Sequence, residues 1–369
     1  MPTCTRYLQT TTTSTRGYWR RTLGGMPSTD QLMKILEFSF KRLFFLIPVL
    51  IGVTLLTFAV SHVMPSNPAA VALGPHATED TIKAFNQRWG LDKPLYVQYF
   101  RYVKRLVSGD LGTSMQTLRP VSTDLLAYFP ATLELTLSSL FFCLVLGIPI
   151  GVISAVRKDR IIDHISRIFS LIGVSIPVFW LGLLMLLVLY FQFDWFPGGG
   201  RLSATTSPPP NVTGLYTLDS LIEGDWAKFK ESVLHLILPM TCLGFAVTGV
   251  ISRMTRSSMI GVLQEQYMKT ASAKGLSFYK VIYLHALKNA ILPVITISGV
   301  LFGQLLAGAV LTETVFAWPG MGLYIVNSIL HFDFQPIMGF TVLVAIVYVL
   351  INFIVDVLYV LIDPRISLK

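Results

Sequence analysis

Six stretches of the chain drop the usual alternation of polar and apolar residues and become almost continuously apolar. They are Leu43–Val63, Ala131–Val156, Ile168–Phe193, Leu234–Ile251, Ala290–Leu311 and Ile337–Ile362. One crossing of a bilayer needs about 20 mainly apolar residues, so the pattern predicts six membrane-spanning helices. The fourth stretch is the shortest and contains Pro239. The first is read as a retained span and not a cleavable leader. It is long, starts late, and is followed by no small-x-small cleavage pattern.

The connections differ in kind. Residues 1–35 are rich in Thr, Ser and Arg without any period, the composition of a disordered tail. Residues 36–130 hold the first span and a large extracytoplasmic region. Residues 131–369 form the transmembrane domain proper. Within Met64–Pro130, Thr78–Trp89 is predicted as a helix capped by Thr78, with Glu79 and Asp80 in its first turn. Asp194–Ser232 opens as the loop "FPGGGRL…SPPPNVTG" and closes with a short amphipathic helix, "DWAKFKESV". In "TETVFAWPGMGLYIVNSILHFDFQP", Trp318 and Tyr324 are expected as anchors at the membrane–water interface.

Charge sets the orientation. Only 13% of the 369 residues are charged, against about a quarter in a soluble domain. With both termini cytoplasmic, 19 of the 29 Lys and Arg fall on the inner side. Positive-inside bias therefore accounts for the net charge of +9, and no nucleic-acid partner is implied. Cys4, Cys143 and Cys242 lie too far apart for a disulfide framework or a metal site. No G-x4-G-K-[ST] phosphate loop occurs, so any ATP used must be hydrolysed by another chain. "HExxH", "GxSxG" and "GxGD" are also missing, which leaves an intramembrane hydrolase without support.

The segment between the fourth and fifth spans, "YMKTASAKGLSFYKVIYLHALKNAILPV", is basic and dense in small residues. Gly275 suits a left-handed helix end. Ser277 is placed to cap the next helix, with Leu276 and Val281 as a staple across that cap. The segment reads as helix, glycine turn, helix. One reading is a short helix with small side chains, Thr270–Ala273, seated in another protein's groove. The other is an amphipathic helix lying on lipid, for which the stripe of large apolar residues looks poor.

This segment resembles the "EAA" loop of ABC importer permeases, whose general pattern is E-A-A-x3-G-x9-I-x-L-P. With Gly275 as the glycine, Lys269-Thr270-Ala271 and His285-Ala286-Leu287-Lys288 stand at the flanking positions. "TASAKGL" and "HALKNAILP" are similar to the form used by the dipeptide/oligopeptide/nickel branch. So are "IPVLIGVTLLTF", "MPSNP", "GLDKPLYVQY", "GDLGTS", "FPATLELTL", "ISRMTRSSM", "LTETVFAWPGMG" and "DVLYVLIDPRI". The resemblance runs from about Phe38 to the C-terminus. It implies an all-α, six-span, type I importer fold in the cell (inner) membrane. It also implies a coupling loop, 254–289, in which Thr270, Ala271, Ala273, Lys274, Gly275, His285 and Leu287 meet the ATPase. The implied partners are a homologous second permease, two ATPase subunits that use ATP and Mg, and an extracytoplasmic peptide-binding protein. No cofactor is implied on this chain. Dipeptides or oligopeptides are the implied cargo, with nickel or glutathione as the alternative.

Three acids lie in or near spans. Glu134, near the outer start of its span, is read as a helix-end contact or a site for a substrate ammonium. Glu313 is read as wet, just past a span. Asp356 is read as a polar contact between helices. Gly299, Gly303 and Ala307 share one face of the fifth span, either to line the path or to pack closely; Gly147 and Gly151 carry the same ambiguity. A proton-coupled secondary transporter using Glu134 and Asp356 is the rival class. It is disfavoured because no inverted repeat or broken helix is visible. The orientation is checked by an impermeant thiol reagent on intact cells. Cysteine at Ser203 should label and cysteine at Ser272 should not; the reverse would invert the topology.

Overall fold

The computed structural model describes residues 47–59, 78–89 and 92–362. The chain divides into two units, residues 1–47 with 363–369, and 48–362. Apart from Ile47 the first unit, including the predicted tail, lies outside the described residues. The second is all-helical, with no strand beyond an isolated bridge between Thr113 and Pro120 among the described residues.

Helix α1 is described over Ile47–Ala59. Helices α2 (Glu79–Trp89) and α3 (Leu95–Val107) follow in the first long connection. Thr78 Oγ1 accepts from the Thr81 amide at 3.4 Å, as its predicted capping place requires. Then come α4 (Val121–Val156), α5 (Ile161–Ser175), and α6 (Val178–Gln192), whose last seven residues are wound as a π-helix. The short α7 (Tyr216–Glu223) leads into α8 (Trp226–Leu263). The basic segment holds α9 (Gln266–Ala273) and α10, which joins a π-helical turn, Lys280–Ala286, to Leu287–Ala290. The chain continues as α11 (Leu292–Val315), α12 (Met321–Leu330) and α13 (Phe334–Ile362).

Over its described residues each predicted span is mainly helical. Among the described residues α4, α8, α11 and α13 are long and apolar enough to cross a bilayer, and the α5–α6 pair makes a fifth. Two expectations are corrected. The third span is not one straight helix, because α5 and α6 meet at 101°. Ile176 is extended (φ −84°, ψ 125°) ahead of Pro177. A proline's ring disfavours helical backbone at the residue before it, and its missing N–H ends the ladder. A broken helix is therefore present, and its supposed absence no longer argues against a secondary transporter. The second correction is at "DWAKFKESV", which is the first turns of α8 and not a separate helix. The Asp225 carboxylate caps it, accepting from the amides of Ala227 and Lys228. Donation from the Lys228 amide, foremost, holds that carboxyl below its ordinary range.

Close backbone approach builds the centre. A Cβ at Gly151 would meet Ser252 O and Thr255 Cβ at 2.6 Å, and one at Gly147 would meet Ile251. Gly244 on α8 faces Phe142 and Cys143 on α4 in return. Leu135, Leu243, Ile251, Val294, Leu305 and Trp318 fill the space between α4, α8 and α11. In a membrane, small residues drive such contacts because burying apolar side chains from lipid gains little. Gly299 and Gly303 pack against Val355 and Tyr348 of α13, within this chain, while Ala307 is exposed. Gly151→Leu should therefore destabilise by roughly 1–3 kcal/mol through overpacking, read as a lower melting temperature in detergent. Gly261→Ala, where a Cβ meets nothing, should be neutral or stabilising. Equal melting of the two variants would contradict this packing.

Candidate functional site

The bundle has two chemically distinct ends. At one, α9 follows α8 after a short turn. Met268, 3% exposed, is the one buried residue of α9. It packs with Val152 and Ala155 of α4, Met259 of α8, and Val281, Ile282, Ala286 and Ala290 of α10. Thr270, Ala273, Lys274 and Gly275 stay exposed, and Ala271 is half-buried. Gly275 has φ +77°, and a Cβ there would meet nothing within 4 Å. That left-handed conformation is easy only for glycine, and it turns the chain from α9 toward α10.

The structure sorts the residues proposed for this loop. Thr270, Ala273, Lys274 and Gly275 lie on the projecting element. His285 and Leu287 lie on α10, half-buried, where Leu287 packs against the cluster around Met259. The His285 carbonyl accepts from Asn289 Nδ2, which also donates to Tyr267 Oη at 2.9 Å. These two positions support the loop. The expected poverty of large apolar residues is not observed: Phe278, Tyr279, Tyr283 and Leu284 are all exposed. Residues 254–263 belong to α8, so the loop itself begins at Gln264.

Beside it, Asp163 is fully buried at the start of α5. It receives Ser154 Oγ at 2.6 Å, the Asp159 amide at 2.9 Å, and Arg256 Nε and Nη2 at 2.7 Å each. This bidentate pair ties α4, α5 and α8 together where the loop leaves the bundle. Nothing in the sequence spacing pointed to it; the partners are 93 residues apart.

The other end is a lattice of buried carboxylates. Glu134 lies well inside α4, not at its start, and is 3% exposed. It is ion-paired with Arg201 at 2.5 Å and accepts from Thr217 N and Oγ1 at 2.8 and 2.7 Å. The helix-dipole reading is thus replaced by an ion pair. Arg201 also donates to Gly214 O and stacks 3.5 Å over the Tyr216 ring. Glu313 is not wet: it is fully buried, accepting from Thr132 Oγ1 and Gly322 N at 2.6 Å and Leu323 N at 3.1 Å. It caps α12 from α11. Gly320 and Gly322 are required there, since a Cβ on Gly320 would strike the Glu313 carboxylate and one on Gly322 would meet Val310 Cα at 2.5 Å. Trp318 and Tyr324 are not interface anchors. They are 1% and 5% exposed; Trp318 Nε1 donates to Ala131 O, and Tyr324 Oη donates to Asp124. Asp333 Oδ2 accepts from Ser114 Oγ and the amides of Met115 and Gln116. The side chain of Asp356 lies outside the described residues. Its neighbour Asn352 bonds the Tyr348 carbonyl of its own helix.

The described residues thus form an all-helical bundle with several helices long and apolar enough to cross a membrane and a short helix projecting at one end. The family model for the binding-protein-dependent transport system inner membrane component matches residues 147–368. The model for the N-terminal part of such membrane components matches residues 35–136. The chain is 48% identical to a probable D,D-dipeptide transport system permease protein of Escherichia coli, over 89% of this chain and 96% of that one. It is 44% identical to a dipeptide transport system permease protein of Alkalihalophilus pseudofirmus, over 90% and 100%. It is 38% identical to a glutathione transport system permease protein of Salmonella paratyphi A, over 91% and 100%. The chain belongs to this family: it is a multi-pass inner-membrane permease subunit of a binding-protein-dependent importer, and not an enzyme.

Removing Glu313 tests the outer lattice. Glu313→Ala leaves two buried donors and one half-buried donor unpaired, and a cavity, which should cost roughly 3–5 kcal/mol. The melting temperature in detergent should fall well below that of the exposed control Ser203→Ala. Unchanged melting would show that the carboxylate does not hold α12.

Proposed function

We propose that this chain forms one half of the translocation path of an ATP-driven importer for dipeptides or short oligopeptides. A homologous second permease supplies the other half. Two ATPase subunits, which bind the ATP and Mg, dock on the α9 loop. An extracytoplasmic peptide-binding protein delivers cargo to the opposite end. The basic residues around α9, among them Arg157, Arg253, Lys269, Lys274 and Lys288, support a cytoplasmic position for that end.

The observation that carries the coupling role is the form of α9. It is a short helix of small side chains, held to the bundle by Met268 and turned by a left-handed glycine, with Thr270, Ala273 and Lys274 free to meet another chain. Force applied to α9 passes through Met268 to α4, α8 and α10 together. Peptide cargo is supported by the names of the dipeptide relatives at 44–48% identity. The glutathione relative at 38% favours a second reading, a tripeptide thiol as cargo.

The coupling role is tested at Gly275. A β-carbon at its φ costs on the order of 1 kcal/mol locally, so Gly275→Asp should still insert. It should lose ATPase co-purification and uptake by about tenfold or more, a docking change of about 1.4 kcal/mol. Ala271→Asp should act likewise, and Lys280→Arg should not. Full ATPase retention and normal uptake by Gly275→Asp would replace docking with a lipid-surface role for α9. Uptake of labelled dipeptides against labelled glutathione by a deletion strain separates the two cargo readings.

A further inference from the structure

Helix α8 leads into α9 at its last turn, and its first turns lie at the opposite end of the bundle. There they border a cleft of about 740 Å³. Its walls include Tyr190 near the end of α6, Pro197 and Ser203 of the following loop, and Glu231, Leu234 and His235 of α8. His235 is 7% exposed, and its Nδ1 lies 2.9 Å from Gly199 O. A carbonyl oxygen can only accept, so Nδ1 carries the proton. In the neutral ring Nε2 is then a lone pair, and no donor meets it among the described residues. Glu231 sits one turn earlier on the same helix face. Its Oε1 accepts from the Ser203 amide at 2.9 Å and from Ser203 Oγ. Its Oε2 accepts only from Thr206 Oγ1, at 2.9 Å, among the described residues. A carboxylate oxygen has two lone pairs, so Oε2 keeps one position open. No Lys or Arg pairs with Glu231 among the described residues, and the nearby Lys228 is held by Glu223 and Asp225. Neither a hydrogen bond nor an ion pair joins Glu231 to His235, so the two open acceptors stand apart.

Two open acceptors and an unbalanced negative charge call for a cationic donor. The apolar walls at Tyr190, Pro197 and Leu234 favour an organic body over a bare ion. A metal ion needs more protein ligands than these two side chains supply, and no group of three metal-binding side chains occurs among the described residues. We propose that the cleft binds the N-terminal ammonium of the peptide cargo between Glu231 Oε2 and His235 Nε2. The first side chain of the peptide rests against Tyr190 and Leu234. An ammonium has three N–H donors and no acceptor, which matches the two lone pairs offered. Charge-assisted hydrogen bonds of this kind are the stronger ones. The volume suits a di- or tripeptide, since sites for small ligands run to about 300–1,000 Å³. Resting on the peptide reading of the cargo given above, this makes the cleft a receiving site at the end where the cargo arrives.

The test uses the full chain in nanodiscs and a tritiated dipeptide, alanyl-photoleucine, whose diazirine cross-links on illumination. Labelling should fall within Tyr190–Ser203 or Trp226–His235. The N-acetylated dipeptide should label about tenfold less, the factor that one hydrogen bond to a charged group is worth. Glu231→Gln removes the charge and should lower labelling to the same extent, and Glu231→Asp, which keeps the charge, should restore part of it. If Glu231→Gln fails to fold, as judged by melting in detergent, Leu234→Trp keeps the carboxylate, fills the cleft and should also suppress labelling. Equal labelling by the free and acetylated dipeptides, or labelling outside these two segments, would overturn the proposal. So would Zn²⁺ bound at micromolar concentration by the parent chain and lost in Glu231→Gln, which would assign the cleft to a metal ion. Labelling is read without ATPases or uptake. Normal dipeptide uptake by the whole importer without amine-dependent labelling would remove this site alone. Amine-dependent labelling without dipeptide uptake would remove the cargo reading and leave the ammonium site standing.

Discussion

A carboxylate buried in a bilayer must find donors, because the hydrocarbon offers none and the unpaired charge is costly. Much of this chain follows from that constraint. Glu134 draws the loop at Arg201 and Gly214 and the start of α7 onto α4. Glu313 holds the first turn of α12 against α11 and α4. Asp333 gathers the loop at Ser114–Gln116, and Asp124 joins Thr117 to Tyr324. Connections of the outer end that the hydropathy pattern leaves undefined are thereby held at defined points on the spans. Asp163 does the same at the inner end for α4, α5 and α8.

The spans themselves are organised by a different rule. Apolar side chains gain little by leaving lipid for protein, so the helices meet where backbones can come close. Gly147 and Gly151 bring α4 onto α8, and Gly299 and Gly303 bring α11 onto α13. Packing against the neighbouring span of the same chain uses those glycines fully. Ala307, although on the same nominal stripe, remains exposed.

Much of this was legible in the residues. The spans could be read because length and apolarity are local properties. The left-handed turn at Gly275 could be read because the glycine follows a helix-compatible run of small residues. The bend at Ile176 was carried by Pro177 but hidden by the unbroken hydropathy on both sides. Trp318 and Tyr324 were misplaced because an aromatic at the end of a span looks the same whether it faces lipid or the interior. Its partner decides, and the partner of Trp318 is Ala131, 187 residues earlier. Glu134–Arg201 and Asp163–Arg256 were invisible for the same reason, since one sequence records no distance between residues far apart along it.

The two ends differ in how they resist movement. Carboxylate hydrogen bonds at the outer end are directional, and a shift of an ångström breaks them. The joint beneath α9 is made of Met268, Met259, Val281 and alanines, and apolar contact has no preferred direction, with methionine the most adaptable of such side chains. Directional bonds at this end are fewer and lie beside that joint, in the Asn289–Tyr267 hydrogen bond and the Asp163–Arg256 pair. One end is thus held mainly by directional carboxylate bonds, while Met268 meets the bundle at the other through adaptable apolar contact.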